Sequence, residues 1–157
     1  MYVIQIVGYK NSGKTTFINQ WIKTLTAKGL QTATIKHHGH GGDPDILTKK
    51  DSYKHYRAGA SITTVIGENQ LLMTAEKDKL PLDKLLNLYQ LLGTDYVFVE
   101  GFKQWPLPKI VLIRDDREDV MHQLENVQLV SRGQIEEAMK MVETNLKLFE
   151  WHIESGR

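Results

Sequence analysis

An α/β fold, built on a mostly parallel sheet flanked by helices, is predicted by three observations. Short β-branched runs alternate with stretches whose apolar residues recur at helical spacing. Two of those runs, Val3 to Val7 and Tyr96 to Val99, carry apolar residues at nearly every position, as strands covered on both faces do. The first run ends in a loop bracketed by glycines that opens directly into a helix.

That loop narrows the fold. Gly8-Tyr9-Lys10-Asn11-Ser12-Gly13-Lys14-Thr15-Thr16 fits G-x-x-x-x-G-K-[ST], the phosphate-binding P-loop. Gly8 and Gly13 let the backbone turn back so that consecutive N–H groups face a phosphate. Lys14 has the reach for the β- and γ-phosphates, and the Thr15 hydroxyl is a ligand for Mg²⁺. The following helix adds the positive end of its dipole. A plain strand-to-helix turn has no need of Lys-Thr after its second glycine. The expected architecture is therefore a P-loop NTPase-type three-layer fold with a β-hairpin extension. All 157 residues are read as one P-loop nucleotide-binding domain, 1–157.

The remaining elements follow in order. Phe17, Ile18, Trp21, Ile22 and Leu25 form one helical face, and Gly29 is the stop. Gln31 to Lys36 is a second strand. His37-His38-Gly39-His40-Gly41-Gly42-Asp43-Pro44-Asp45 is a loop, because its glycines and proline forbid regular structure. It lies at the carboxyl end of a strand, where open α/β sheets bind ligands. Asp51 to Ala58 is a short helix ending at Gly59. Ile62–Ile66 and Gln70–Ala75 make a hairpin, whose edges need a cover or a second subunit. Pro81 opens a helix with Leu82, Leu85, Leu86, Tyr89 and Leu92 on one face, and Gly93 ends it. Tyr96 to Val99, Ile110 to Ile113 and Val127 to Val130 are further strands. Ser131 and Gln134 fit a capping box before a last helix through Ile135, Ala138, Met139, Val142, Leu146 and Phe149.

The totals set bounds. Charged residues are 25% and the net charge is +1, which gives no ground for broad binding to nucleic acid or membrane. Cysteines are absent, which excludes a disulfide framework and thiolate metal sites. No apolar run reaches membrane-spanning length, and the first strand starts too early to leave room for a signal peptide. The expected location is the cytoplasm.

Glu100 is the second site candidate. Four apolar residues lead to this carboxylate at a strand end, the position from which a P-loop protein holds Mg²⁺. Asp43 and Asp45 approach the same region in sequence, and a solvated loop explains either equally well. His37, His38 and His40 lack the spacing of a structural zinc site. His55 is either an intrahelical partner of Asp51 or a site contact. Lys103, Lys109 and Arg114 form a cationic cluster after Glu100, suited to phosphates, to an acidic partner or to plain solvation.

Several blocks together resemble the molybdopterin-guanine dinucleotide biosynthesis protein B (MobB) family. They are GYKNSGKTT, Lys36-His37-His38, KDSYKHYRAGA (Lys50 to Ala60), VEGFK (Val99 to Lys103) and PLPKI (Pro106 to Ile110). The resemblance implies a GTP-binding protein with at most weak, Mg²⁺-dependent GTPase activity. It would assist the conversion of molybdopterin to its guanine dinucleotide form beside a MobA-like nucleotidyltransferase, and would be a homodimer. Carried over by position, Gly8, Asn11, Ser12, Gly13, Lys14, Thr15 and Thr16 would hold the triphosphate. Lys14 and Glu100 would serve catalysis, and Thr15, Glu100 and Asp45 would serve Mg²⁺. His37 and Asp45 would lie near the γ-phosphate or a molybdopterin ligand. The resemblance breaks at 127–132, where relatives often carry an Asp and this chain has no carboxylate. No residue is therefore assigned to reading the base.

Two other functions fit a P-loop domain. A small-molecule kinase would use an arginine-rich lid, and none is visible in the sequence. A non-hydrolytic adaptor would use the nucleotide only to set a conformation for its partners.

Overall fold

In a computed structural model of the protein, residues 1–38, 42–44, 51–113 and 124–152 are described. The chain divides into two compact units, one formed by residues 1–39 with 89–157 and the other by residues 40–88.

The first unit is built on a five-stranded sheet. Its strands are β1 (Tyr2–Gly8), β2 (Thr32–Lys36), β5 (Tyr96–Glu100), β6 (Lys109–Leu112) and β7 (Val127–Ser131). They lie in the order β2-β5-β1-β6-β7, and every pairing is parallel. β1 is central and buried from Val3 to Gly8, which explains its continuous apolar run. Helix α1 (Lys14–Ala27) returns the chain across one face, and α4 (Ile135–Thr144) packs against it. Phe17, Ile18, Trp21 and Leu25 of α1 share a core with Ile4, Ile6, Phe98, Ile110, Leu112 and Val142. Trp21 stands edge-on to Phe17 at 5.7 Å and tilted against Phe98 at 5.2 Å. The alternate strand residues Val3, Val7, Val97, Val99 and Val111 are equally buried on the opposite side.

α1 ends as its sequence indicates. Gly29 sits at φ 77°, its N–H donates to Thr26 O, and Leu30 N–H donates to Leu25 O. This pair of bonds satisfies carbonyls that the last turn leaves open.

Helix α4 departs from the expected start. Ser131 belongs to β7, and its hydroxyl accepts the Gly133 N–H at 3.2 Å. Gln134 is the N-cap residue and makes no side-chain cap bond, so the Ser131–Gln134 capping box is not formed. The strand runs one residue longer than its apolar pattern and takes the serine away from the helix.

The second unit contains helix α2 (Asp51–Arg57) and the antiparallel hairpin of β3 (Ile62–Ile66) and β4 (Leu71–Ala75). The Gly67 N–H closes the turn on Gln70 O at 2.8 Å. α2 packs on β3. The hairpin is apolar yet open: Ile66 is 78% exposed, Leu71 61% and Leu72 59%. Helix α3 (Leu82–Leu91) follows, with Leu86 fully buried. It stops one residue before Leu92, so Leu92 lies at the helix end and is exposed instead of on the apolar face. No helix among the described residues is long and apolar enough to cross a membrane.

Trp21 sets a stability prediction. Its ring is fully buried, and its indole N–H has no hydrogen-bond partner among the described residues. Trp21→Ala should cost about 3–5 kcal/mol, whereas Trp21→Phe, which discards no hydrogen bond, should cost under about 2 kcal/mol. Denaturant midpoints of the two variants measure the difference.

Candidate functional site

The loop from Gly8 to Gly13 leaves the carboxyl end of β1 and enters α1 at Lys14. A Cβ at Gly8 would lie 2.5 Å from the Leu112 carbonyl oxygen and 2.7 Å from the Ser12 hydroxyl. The close approach of β6 therefore requires glycine there. Asn11 is left-handed at φ 64°, and Gly13 at φ 86° is the N-cap of α1. No side chain among the described residues caps this helix, and its first turn carries no acid. The first helical bond runs from Phe17 N–H to Gly13 O. The N–H groups of Lys14, Thr15 and Thr16 therefore have no partner within the helix, as its geometry demands. A ring of donors with the positive helix end behind it suits an anion.

The side chains agree with that field. Lys14 Nζ curls over the loop and donates to Tyr9 O at 2.6 Å, Gly8 O at 3.2 Å and Ser12 Oγ at 3.4 Å. Burial holds its pKa below the usual lysine value. Glu100 works in the opposite direction, and Lys103 and Lys36 add to the lowering. Lys103 Nζ stands 5.2 Å from the centre of the Tyr9 ring. Lys14 thus feels two other ammonium groups and one carboxylate, an imbalance that a polyphosphate would neutralise.

Glu100 ends β5, directly opposite Ile6 of β1 and Lys36 of β2. The Thr15 hydroxyl donates to both its oxygens, at 3.0 and 3.1 Å. Lys36 Nζ donates to Oε1 at 3.1 Å. Parallel pairing of β1, β2 and β5 thus brings together residues that are 21 to 85 positions apart in the chain. The hydroxyl and carboxylate fit Mg²⁺. Both are hard oxygen donors, and their separation matches the ligand–ligand edge of an octahedral ion, about 3.0 Å for Mg–O bonds of ~2.1 Å.

His37 follows Lys36 and is held beside Glu100, donating its N–H to Glu100 O at 2.9 Å. Its ring lies 4.6 Å from Phe102, which stacks on Trp105 at 3.6 Å with planes 9° apart. His38 is exposed. His40, Asp45 and Arg114 lie outside the described residues.

Sequence reasoning missed the support beneath this site. Gln5 on β1 and Lys109 on β6 are register partners, and both are fully buried. Gln5 Nε2 donates to Gly101 O at 2.7 Å and Phe102 O at 2.6 Å. Lys109 Nζ donates to the carbonyls of Trp105 and Leu107. Together they hold the strap 101–107, in which Phe102 adopts a left-handed φ of 52°. That conformation costs a bulky residue about 1–2 kcal/mol, which the two Gln5 bonds offset. Lys109 is therefore not part of a surface phosphate-receiving cluster. Its ammonium is turned into the protein, where burial lowers its pKa. The signal was present: a glutamine inside β1 and a lysine opening β6 are polar groups where apolar ones belong, and buried polar groups need partners.

A family model described as molybdopterin guanine dinucleotide synthesis protein B matches residues 3–132. The probable molybdopterin-guanine dinucleotide biosynthesis adapter protein of Bacillus subtilis (strain 168) is 43% identical over 119 residues, 75% of this chain and 68% of its own length. The adapter protein of that name from Haemophilus influenzae is 37% identical over 115 residues, 73% of this chain and 64% of its own length. Matched segments therefore span about two thirds of these relatives. A crystal structure of Bacillus subtilis MobB has a TM-score of 0.71 and 30% identity, covering 97% of this chain and all of that one. A MobB homolog from Bacillus stearothermophilus has a TM-score of 0.66 and 29% identity, covering 92% and 99%.

The strap yields a prediction. Lys109→Met fills much of the lysine's volume but leaves the Trp105 and Leu107 carbonyls without their donor. It should destabilise the fold by about 2–4 kcal/mol, read from denaturant unfolding. A variant as stable as the parent would show that the lysine does not hold the strap.

Proposed function

This chain belongs to the molybdopterin guanine dinucleotide synthesis protein B family, and on that premise we propose that it is a Mg²⁺-dependent GTP-binding adapter. It would serve the step that converts molybdopterin to its guanine dinucleotide form, acting beside a MobA-like nucleotidyltransferase. The observation that carries this reading is the convergence of Lys14, Thr15 and Glu100 at the mouth of the glycine loop. The loop N–H groups and Lys14 hold the phosphates. Thr15 and Glu100 hold the Mg²⁺, which neutralises phosphate charge. The named relatives are adapters, and the role comes to this chain from them by proposal.

Hydrolysis is slow in this reading. Fast GTP hydrolysis draws on a water-orienting glutamine and an arginine on the transferring phosphate. Among the described residues the charges acting on Lys14 are Glu100, Lys103 and Lys36, none of them arginine. Gln5 is committed to two backbone carbonyls. Lys14 positions the phosphates, and a partner supplies whatever else speeds the reaction.

We further propose that a second copy of this chain covers the β3–β4 hairpin. A two-stranded hairpin is marginal in water, and this one exposes Ile66, Leu71 and Leu72.

Three outcomes follow. Titration calorimetry with Mg²⁺ should show GTP bound more tightly than ATP, with Lys14→Ala weakening GTP by about a hundredfold or more. Preference for ATP would point to the kinase instead. Phosphate drawn to Lys14 raises its lowered pKa, so at alkaline pH binding should take up protons. The dependence of binding enthalpy on buffer ionisation measures that uptake, and proton release would contradict it. Sedimentation should give a dimer for the parent chain and a monomer for Ile66→Lys combined with Leu72→Lys.

A further inference from the structure

We propose that Lys36 is a displaceable cation that occupies the metal side of Glu100 until nucleotide arrives with its metal, and then moves its ammonium to the phosphates. The inference rests on the nucleotide reading above.

Three observations carry it. Lys36 and Glu100 are register partners at the ends of adjacent parallel strands, so both side chains leave the same face of the sheet. Lys36 Nζ lies 3.1 Å from Glu100 Oε1, the oxygen that also takes the Thr15 hydroxyl at 3.0 Å. Finally, the pair is lopsided: the Glu100 side chain is 15% exposed, whereas that of Lys36 is 62% exposed.

The chemistry follows from charge. Glu100 is mostly enclosed, paired with Lys36, and its charge acts on Lys14. The Lys36 ammonium balances it while no metal is present. A divalent ion on Thr15 and Glu100 would stand next to that ammonium. Like charges this close repel strongly at the effective dielectric of a half-enclosed site. The ammonium and the metal therefore exclude each other at Oε1. Glu100 is held by its strand and cannot follow, but Lys36 has a four-carbon stem with its head in solvent. The metal's charge replaces the ammonium's at Glu100, and Lys36 keeps its own solvation because its side chain is 62% exposed. The charge it carries off is attracted to the nearest anion, the phosphate chain over Lys14. A lysine at β2 thus pairs with Glu100 when the site is empty and adds a phosphate contact when it is full.

Calorimetry with GTP, once in chelator and once with Mg²⁺, tests this on the parent chain, Lys36→Met, Lys36→Gln and Lys14→Ala. The quantity read is the factor by which Mg²⁺ strengthens GTP binding. In chelator, Lys36→Met should bind GTP within about twofold of the parent, because without metal the Lys36 ammonium stays largely on Glu100. The Mg²⁺ factor should rise at least about threefold over the parent, because nothing competes for Glu100. Lys36→Gln should behave alike, and serves if the methionine variant does not fold. An Mg²⁺ factor unchanged or reduced in the folded variants overturns the role of Lys36. If the parent binds no GTP, or Lys14→Ala binds as the parent does, the nucleotide reading fails and takes this inference with it. Loss in Lys14→Ala with an unmoved Mg²⁺ factor in the Lys36 variants overturns this inference alone.

Discussion

One carboxylate organises the loaded end of the sheet. Glu100 takes the Thr15 hydroxyl on both oxygens and the Lys36 ammonium on one, while its backbone carbonyl accepts the His37 N–H. These contacts tie β2, β5 and the start of α1 to a single point. That point lies at the carboxyl end of the central strands, where the crevice of an open parallel sheet binds its ligand. Lys14, held back over the loop by three oxygen atoms, completes the cationic side. In the proposed function, phosphate and metal replace contacts that the protein makes with itself when empty.

The position of Glu100 depends on what lies beneath it. The residues that follow it, Gly101 and Phe102, both have positive φ. A Cβ at Gly101 would come within 3.0 Å of the His37 Cβ, so the strap passes close under β2. Gln5 and Lys109, neighbours across β1 and β6, hold the strap from inside the sheet. Asn126 adds a bond from its side chain to Pro106 O, and its carbonyl accepts the Lys109 N–H. Buried polar donors in the middle of a parallel sheet are costly unless satisfied. Here they add side-chain bonds to a loop whose backbone also bonds from Gly101 N–H to Ile6 O and from Trp105 N–H to Phe102 O. The Phe102 ring stacks on Trp105, and His37 is tilted against Phe102.

Much of this was legible before any coordinates. The glycine loop was recognisable because phosphate binding demands a tight local pattern, and Glu100 because a carboxylate ending an apolar run is a local pattern too. The stops at Gly29 and Gly93 were legible for the same reason. Lys36 was visible as a residue, but its role was not, because the pairing of β2 with β5 joins distant parts of the chain. Lys109 was read as a surface cation because a cluster of positive residues is usually solvated; its burial depends on β6 lying between β1 and β7. The capping box at Ser131 failed because strand pairing with Leu112 outcompeted a local cap. Leu92 kept the helical spacing beyond the point where the helix itself ended.

The central claim is that Glu100 is the group through which the protein holds the metal of a bound nucleotide. Electron paramagnetic resonance with Mn²⁺ in place of Mg²⁺ tests it most directly, by counting free Mn²⁺ as the protein–GTP complex is titrated. On this account Glu100→Gln, which keeps the shape and loses the charge, weakens Mn²⁺ binding to the complex by about tenfold or more while the Lys14-held phosphates remain bound. An Mn²⁺ affinity equal to that of the parent complex would contradict it, and would leave Glu100 as no more than the anchor of Thr15 and Lys36.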